Sequence, residues 1–127
     1  MTKQKITKER RQEMLLVVVY LFSQYTRKEE VSRAELVDCL RKVQKEFPLG
    51  YEFPEKLPYV PIELDSDLDD LWFQKGYLRH YRYGSPLAKN FVALWPLGRG
   101  CAKKIIATLS LEITEILNRL VKAVIKK

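Results

Sequence analysis

The chain has 127 residues and a mass of 15.0 kDa, which is enough for one domain with a single hydrophobic core. Hydrophobic residues make up 46% of it and charged residues 31%, which excludes an intrinsically disordered or collagen-like protein. The net charge of +7 and the pI near 9.4 identify a basic protein.

Membrane, secretion and zinc signals are weak in this sequence. The longest apolar run, Met14–Phe22, has nine residues, whereas a membrane-spanning helix needs about twenty. It lacks a small-residue cleavage site, so we expect neither a membrane segment nor a signal peptide. Cys39 and Cys101 lie 62 positions apart and the chain has one histidine, so we expect free thiols and neither zinc nor another cofactor. Free thiols favour a cytoplasmic location.

Charge is distributed unevenly along the chain. Residues 29–70 carry twelve acids against five bases. Residues 71–111 carry seven bases and no acid, with aromatic residues between them. A long stretch of one sign with interleaved aromatics is typical of a surface that binds a polyanion. The alternative is a solvated face that the acidic middle of the chain balances in space.

The first predicted element is a buried helix over residues 7–27. Thr7 is its candidate N-cap, and the following apolar run has no polar face. A strand is the alternative, because Val17–Tyr20 is β-prone. The absence of any turn residue between Lys8 and Phe22 favours the helix.

The second predicted helix covers residues 32–47. Ser32 and Glu35 have the spacing of a capping box, and apolar residues then recur at helical intervals. Residues 48–63 follow as a loop that contains four of the six prolines. Its apolar side chains predict an ordered loop that packs on the domain, although it could also present aromatic residues to a partner.

A third helix is predicted over residues 65–76, with Ser66 and Asp69 as a weak capping signal. A hairpin follows over residues 77–95, because two β-prone runs flank the turn-forming Gly84–Pro86. Alternation along the first run places Tyr77, Arg79, Tyr81 and Tyr83 on one face of the hairpin and Leu78, His80 and Arg82 on the other.

The last segment, residues 99–127, has the pattern of a long helix or of two helices that divide at Ser110. Its apolar stripe is wider than one buried face requires, which favours contact with a second copy of the chain. Burial on the chain's own domain is the alternative. The predicted dimer interface consists of apolar residues at helical spacing: Leu109, Ile113, Ile116, Leu120 and Val124.

The predicted fold is therefore mainly α with a small β-hairpin, in the order helix, helix, helix, hairpin, long helix. This order resembles the winged-helix superfamily, especially small MarR-like or PadR-like transcription regulators. Three segments carry the resemblance, which extends over residues 7–125: Val31–Leu40, Asp67–Leu78 and Ala93–Ala102. They are similar to the start of the second helix, to the passage from recognition helix to wing, and to the passage from wing to dimerisation helix.

The resemblance implies a homodimeric, cytoplasmic regulator of transcription that binds double-stranded DNA through a winged helix-turn-helix. Its wing would be the hairpin, with a tip suited to phosphate contacts or to insertion into the minor groove. We expect nucleic-acid contacts from the polar residues in and around the hairpin: Lys75, Arg79, His80, Arg82, Tyr83, Lys89 and Arg99.

The third helix departs from the winged-helix pattern, because five of the eight residues 63–70 are acidic. Carboxylates repel phosphates and offer only acceptors to base edges. Either these acids face away from DNA, or the wing binds it, or the domain binds no DNA. In the last case the acidic helix would dock a protein partner. Binding of RNA, or of nucleic acid without sequence preference, through the hairpin is a further alternative.

The sequence offers little for catalysis, and we expect the protein not to be an enzyme. Its one histidine, His80, has no evident catalytic partner nearby in the sequence. A metal-dependent nuclease that uses Glu63, Asp65, Asp67 and Lys75 is conceivable. Acids at the start of a helix more often serve as caps.

Overall fold

The computed structural model describes residues 6–51, 62–81 and 91–126. In these ranges the chain is mainly helical with a small antiparallel sheet, which confirms the predicted α+β class. Its elements in chain order are α1 (Lys8–Thr26), β1 (Glu30–Ser32), α2 (Arg33–Glu46), α3 (Ile62–Asp69), β2 (Leu78–Tyr81), β3 (Phe91–Leu94), α4 (Pro96–Thr108) and α5 (Leu111–Ile125). A π-helical turn over Asp70–Gln74 extends α3.

Helix α1 is the centre of the fold. Every residue of the predicted apolar run Met14–Phe22 is buried, as an all-round apolar helix requires. Thr7 caps it as expected, since its Oγ1 accepts a hydrogen bond from the amide of Arg10 at 3.1 Å. The helix ends at Arg27, which has a left-handed φ of 58°. The strand alternative for this segment is therefore wrong.

The sheet has one strand that the sequence pattern did not predict. Strand β1 pairs with β3, and β3 pairs with β2, so the order is β1-β3-β2. Three residues are too few to show a strand period, and Ser32 of this strand also caps α2. By its pairing, β1 holds the second strand of the hairpin against the helices.

The two strands of the hairpin lie inside the predicted segment 77–95. Leu78 and His80 of β2 face the core and are buried, while Arg79 between them is exposed. The predicted alternation is thus confirmed for these three residues. The predicted turn Gly84–Pro86 lies outside the described residues, as do most of the proline-rich loop and the hairpin residues Arg82, Tyr83 and Lys89.

Two predicted helix starts need correction, because α3 begins at Ile62 and α4 begins at Pro96, before the predicted residue 99. Helix α3 begins at Ile62 rather than at residue 65 or 66, so Ser66 lies within the helix and is not its cap. The C-terminal segment is two helices, as the alternative at Ser110 predicted: the Ser110 Oγ accepts a hydrogen bond from the amide of Ile113 at 3.2 Å and begins α5.

Helix α4 packs on α1, and α5 packs on both α1 and α2. The C-terminal helices therefore complete the core of this chain. None of the helices in the described ranges is long and apolar enough to cross a membrane.

Candidate nucleic-acid interface

The acidic segment of α3 is largely occupied by contacts inside the domain. Asp67 is fully buried, and its two carboxylate oxygens accept hydrogen bonds from Arg11 Nε at 2.6 Å and Arg11 Nη2 at 2.9 Å. The Gln12 amide at 3.1 Å and the Tyr51 hydroxyl at 2.6 Å also donate to it. A bidentate guanidinium pair with two further donors satisfies a buried carboxylate well. Asp67 thus fastens α3 to α1.

Three more carboxylates of this segment have partners in other elements. Asp70 pairs with Lys8 Nζ at 2.9 Å and accepts from Gln12 at 3.0 Å. The hydrogen bond from Lys8 lowers the pKa of the Asp70 carboxyl. Asp65 accepts a hydrogen bond from Arg33, and Asp69 accepts one from His80 at 2.5 Å. Four of the five acids in residues 63–70 therefore have a hydrogen-bonding partner within the domain.

The outward face of α3 and its π-helical turn is different in character. Its exposed residues are Glu63, Ser66, Phe73, Gln74 and Lys75. One of them is an acid and one is a base. Most of the acidic side chains of the third helix therefore face α1, α2 and β2. A surface of mixed polarity remains, with Lys75 at its C-terminal end.

His80 was expected to contact nucleic acid, and the structure corrects this. Its side chain is 3% exposed, between Arg33 Nη1 at 3.1 Å from Nδ1 and Asp69 Oδ1 at 2.5 Å from Nε2. The ring edge also meets Trp72, with centroids 5.6 Å apart. Burial lowers the pKa of His80, against the opposing effect of Asp69. His80 is a structural link between β2, α2 and α3, since alternation turns its side chain into the core.

The other residues predicted to contact nucleic acid differ in their exposure. Lys75 ends the π-helical turn, and Arg79 lies on the outward face of β2; both are exposed. Arg99 is half-buried, and its Nη2 donates to Ser23 Oγ at 3.2 Å, so it also fastens α4 to α1. Sheet register places Ala93 between Arg79 and Glu30 on the outward face. The remaining three, Arg82, Tyr83 and Lys89, lie outside the described residues.

The predicted dimer residues are used mainly by the chain itself. Val124 is 5% exposed and belongs to the core, which corrects its assignment to an interface. Leu109, Ile113 and Leu120 are half-buried and pack against that core. Ile116 is also half-buried. The apolar stripe is wide because α5 contacts two helices, α1 and α2.

A pair of stacked aromatic rings was missed by the sequence analysis. The rings of Trp72 and Phe73 are 4.5 Å apart and inclined by 16°, and Phe73 is 71% exposed. In sequence, Leu64, Leu68, Leu71 and Trp72 have the spacing of the apolar face of α3, and Phe73 does not belong to it. Its position off the stripe of Leu64, Leu68 and Leu71 was the available signal, because a residue off that stripe faces outward.

The conceivable metal site is not supported by the geometry. Asp65 and Asp67 accept hydrogen bonds from guanidinium groups, which occupy the oxygens that a cation would need. Across the described ranges no group of three or more His, Cys, Asp or Glu side chains could hold a metal ion.

Comparison of the chain with protein-family models, with curated proteins and with solved structures finds no match.

Proposed function

We propose that this chain is a winged-helix nucleic-acid-binding protein that binds double-stranded DNA through its basic hairpin and regulates transcription. One observation carries the proposal. The carboxylates of residues 63–70, which were expected to repel the phosphates of DNA, mostly have hydrogen-bonding partners inside the domain. Because the cations Arg11, Lys8 and Arg33 pair with Asp67, Asp70 and Asp65, the repulsion expected between α3 and a phosphate backbone is reduced. Asp69, whose partner His80 is neutral, keeps its charge.

The order of elements supports the same proposal. Three helices precede the hairpin strands β2 and β3, and further helices follow them, as the resemblance to the winged-helix superfamily implies. The hairpin base is rigidly attached on both sides: β1 pairs with β3, while His80 of β2 is held between Arg33 and Asp69. A sheet fixed in this way holds strands β2 and β3 in one position relative to the helices.

The distribution of charge supports a polyanionic partner. All seven charged residues between positions 71 and 111 are basic. Of these, Lys75, Arg79, Lys103 and Lys104 are exposed in the structure. Each phosphate contact by such a side chain releases condensed counterions, which makes binding salt-dependent.

The test is the replacement of Arg79, Arg82 and Lys89 by alanine, followed by fluorescence anisotropy with a labelled duplex over a salt series. We expect weaker binding to every duplex sequence and a salt slope lowered by up to about three units. The control replaces three bases outside the stretch, namely Lys28, Lys45 and Lys126, and changes the net charge equally.

The outcomes separate the candidate functions. Equal losses in the two triple variants would attribute binding to net charge and remove the hairpin from the mechanism. If the unaltered protein binds no nucleic acid at low salt, the proposal fails and a protein-interaction module becomes the better candidate. The docking of a protein through the acidic helix now has less support, because the carboxylates it would use have partners inside the domain.

The proposal includes a homodimer in the cytoplasm, without enzymatic activity. Leu111, 74% exposed, and the half-buried Ile116 are apolar side chains of α5 that a second copy could cover. The free thiols of Cys39 and Cys101 support a reducing compartment. Sedimentation at tens of micromolar, a range of ordinary dimer affinities, tests the dimer. If the protein sediments as a monomer at this concentration, the proposed dimer is contradicted. Ile116→Glu should dissociate a dimer without disturbing the core of the domain.

A further inference from the structure

Phe73 is an exposed aromatic residue that the fold holds in place. Its ring is 71% exposed, so its apolar surface contributes little to the stability of the domain. One face of the ring lies on Trp72, with centroids 4.5 Å apart. Such offset or parallel contacts favour one orientation of the ring over free rotation in solvent.

The support beneath Phe73 extends into the core. The Trp72 and His80 rings are nearly perpendicular with centroids 5.6 Å apart, and His80 is fixed by hydrogen-bonding distances to both Arg33 and Asp69. A continuous series of contacts therefore runs from a buried polar cluster to an exposed ring. An aromatic ring oriented in advance in this way loses little conformational entropy when it binds a partner.

The backbone at Phe73 is unusual as well. Residues Asp70–Gln74 form a π-helical turn, in which the amide of Lys75 donates to the carbonyl of Asp70 at 3.2 Å. Such turns are rare and often lie at functional sites. Here the turn keeps Leu71 in the core and leaves Phe73 outside. Gly76, with a φ of 67°, ends the segment.

The surroundings of Phe73 favour a planar, negatively charged partner. The next two residues, Gln74 and Lys75, are exposed and polar, and Lys75 is the base beside the ring, although it lines a pocket with Glu9 and Glu13 of α1. Asp70, which precedes the ring in the chain, pairs with Lys8. A protein partner that docks by apolar contact would require a broader apolar patch than one ring bordered by polar side chains. A nucleobase offers an apolar face on a polymer of phosphates.

We propose that Phe73 is a stacking platform for an unpaired nucleobase, and that Lys75 contacts the phosphate beside that base. This inference rests on the proposed nucleic-acid binding and names the base as the group that this part of the surface recognises. The stacked base would be one in a single strand or one displaced from a duplex, since paired bases do not expose their faces.

The test compares Phe73→Leu with Phe73→Tyr. Leucine keeps an apolar side chain without a ring, whereas tyrosine keeps the ring. The probes are oligothymidylate, an abasic oligomer of equal length and a duplex. For Phe73→Leu we expect a loss of oligothymidylate affinity of roughly 5- to 100-fold, which is the usual effect of removing one stacking ring. Phe73→Tyr should bind within about twofold of the unaltered chain, as a ring that still stacks should.

Two controls define the result. Leu97→Ala removes another exposed apolar side chain, 62% exposed at the start of α4, and should leave affinity unchanged. The abasic oligomer should bind the unaltered protein and Phe73→Leu alike, because it retains the phosphates and lacks the bases. Circular dichroism should show the same helix content in all variants.

The outcomes distinguish this inference from the proposed function. If the unaltered protein binds no probe at low salt, both fail. If it binds all three probes and Phe73→Leu binds them equally well, the stacking platform is wrong and the proposed function stands. A Phe73 effect that appears with the duplex but not with oligothymidylate would also overturn the inference, since it would assign the ring to paired DNA.

Discussion

Arg33 Nη1 lies 3.1 Å from Nδ1 of His80, and both side chains are buried. A guanidinium group is always protonated and can only donate, so Nδ1 must accept this hydrogen bond. The imidazole proton therefore resides on Nε2, which donates to Asp69 Oδ1 at 2.5 Å. One buried ring in a single neutral tautomer connects the start of α2, strand β2 and the end of α3.

The first prediction concerns this tautomer, which can be measured directly because His80 is the one histidine in the chain. Long-range ¹H–¹⁵N spectra at neutral pH should show a protonated Nε2 and an unprotonated, pyridine-like Nδ1. Substitution of Arg33 by methionine removes a positive charge that lowers the pKa of His80 and should therefore raise that pKa, while the bond to Asp69 still holds the proton on Nε2. A protonated Nδ1 in the unaltered protein would refute the arrangement.

The second prediction is a loss of stability in mild acid. Burial lowers the pKa of His80 from its ordinary value of 6.5, so between the lowered pKa and 6.5 the unfolded chain binds more protons than the folded one. The free energy of unfolding should therefore rise with pH across this window. It should fall as the pH decreases from 7 towards the folded pKa, and urea titrations at several pH values measure it.

The variant His80→Gln provides the control for this pH dependence. Its amide oxygen can accept from Arg33 and its amide nitrogen can donate to Asp69, but it does not titrate. The slope of stability against pH between the lowered pKa of His80 and pH 7 should be smaller in this variant. Equal slopes in the two proteins would attribute the effect to the carboxylates instead.

The third prediction concerns the buried contact between α1 and α3. Asp67→Asn removes the charge that compensates Arg11 and leaves a guanidinium facing an amide. Breaking a buried pair by changing one partner typically costs about 3 to 5 kcal/mol of unfolding free energy. Urea denaturation should show this loss as a lower midpoint.

An exposed ion pair provides the control that shows how much burial adds to the stability contributed by the Asp67 contacts. Glu13 and Arg10 are 3.4 Å apart on the same helix α1, and both side chains are at least 40% exposed. Glu13→Gln should cost less than about 1 kcal/mol, because exposed pairs are screened by solvent. Similar losses in the two variants would show that the contacts of Asp67 contribute no more than a surface pair.

Local sequence signals predicted the helices and the hairpin strands well, because caps and apolar periods are encoded within a few residues. Thr7, Ser32 and Ser110 all serve as the N-caps that their positions suggested. Contacts that join distant positions left no such signal. Arg33 and His80 are 47 residues apart, and Arg11 and Asp67 are 56 apart. The partners of the acids in residues 63–70 therefore could not be predicted, although the fold pairs four of the five inside the domain.

The fourth prediction compares two glycines of α4. A Cβ on Gly98 would lie 2.0 Å from the carbonyl oxygen of Tyr77, where α4 packs against the start of β2. Gly98→Ala should therefore destabilise the protein by about 1 to 3 kcal/mol, as overpacking does. A Cβ on Gly100 meets nothing within 4 Å, so Gly100→Ala should stabilise it by up to about 1 kcal/mol through helix propensity. Thermal or urea unfolding of the two variants measures both effects, and equal stability of the two would contradict the close approach of α4 to Tyr77.

The last prediction concerns the two thiols. Burial raises the pKa of the Cys39 thiol to about 12, and the side chain has no exposed surface, while Cys101 is half-buried. The thiolate is the reactive form, so at pH 8 only about one Cys39 in ten thousand would be reactive even with free access. Iodoacetamide at that pH should modify Cys101 first, as followed by mass spectrometry.

In the variant Cys101→Ser, labelling of Cys39 then reports opening of the core beneath α2. The modification should be slow in native buffer and should accelerate with urea in proportion to the unfolded fraction, because reaction requires exposure of the thiol. Rapid modification of Cys39 without denaturant would mean that α2 separates readily from α1 and α5. That result would contradict the packed core in which α2 and α5 enclose the central helix.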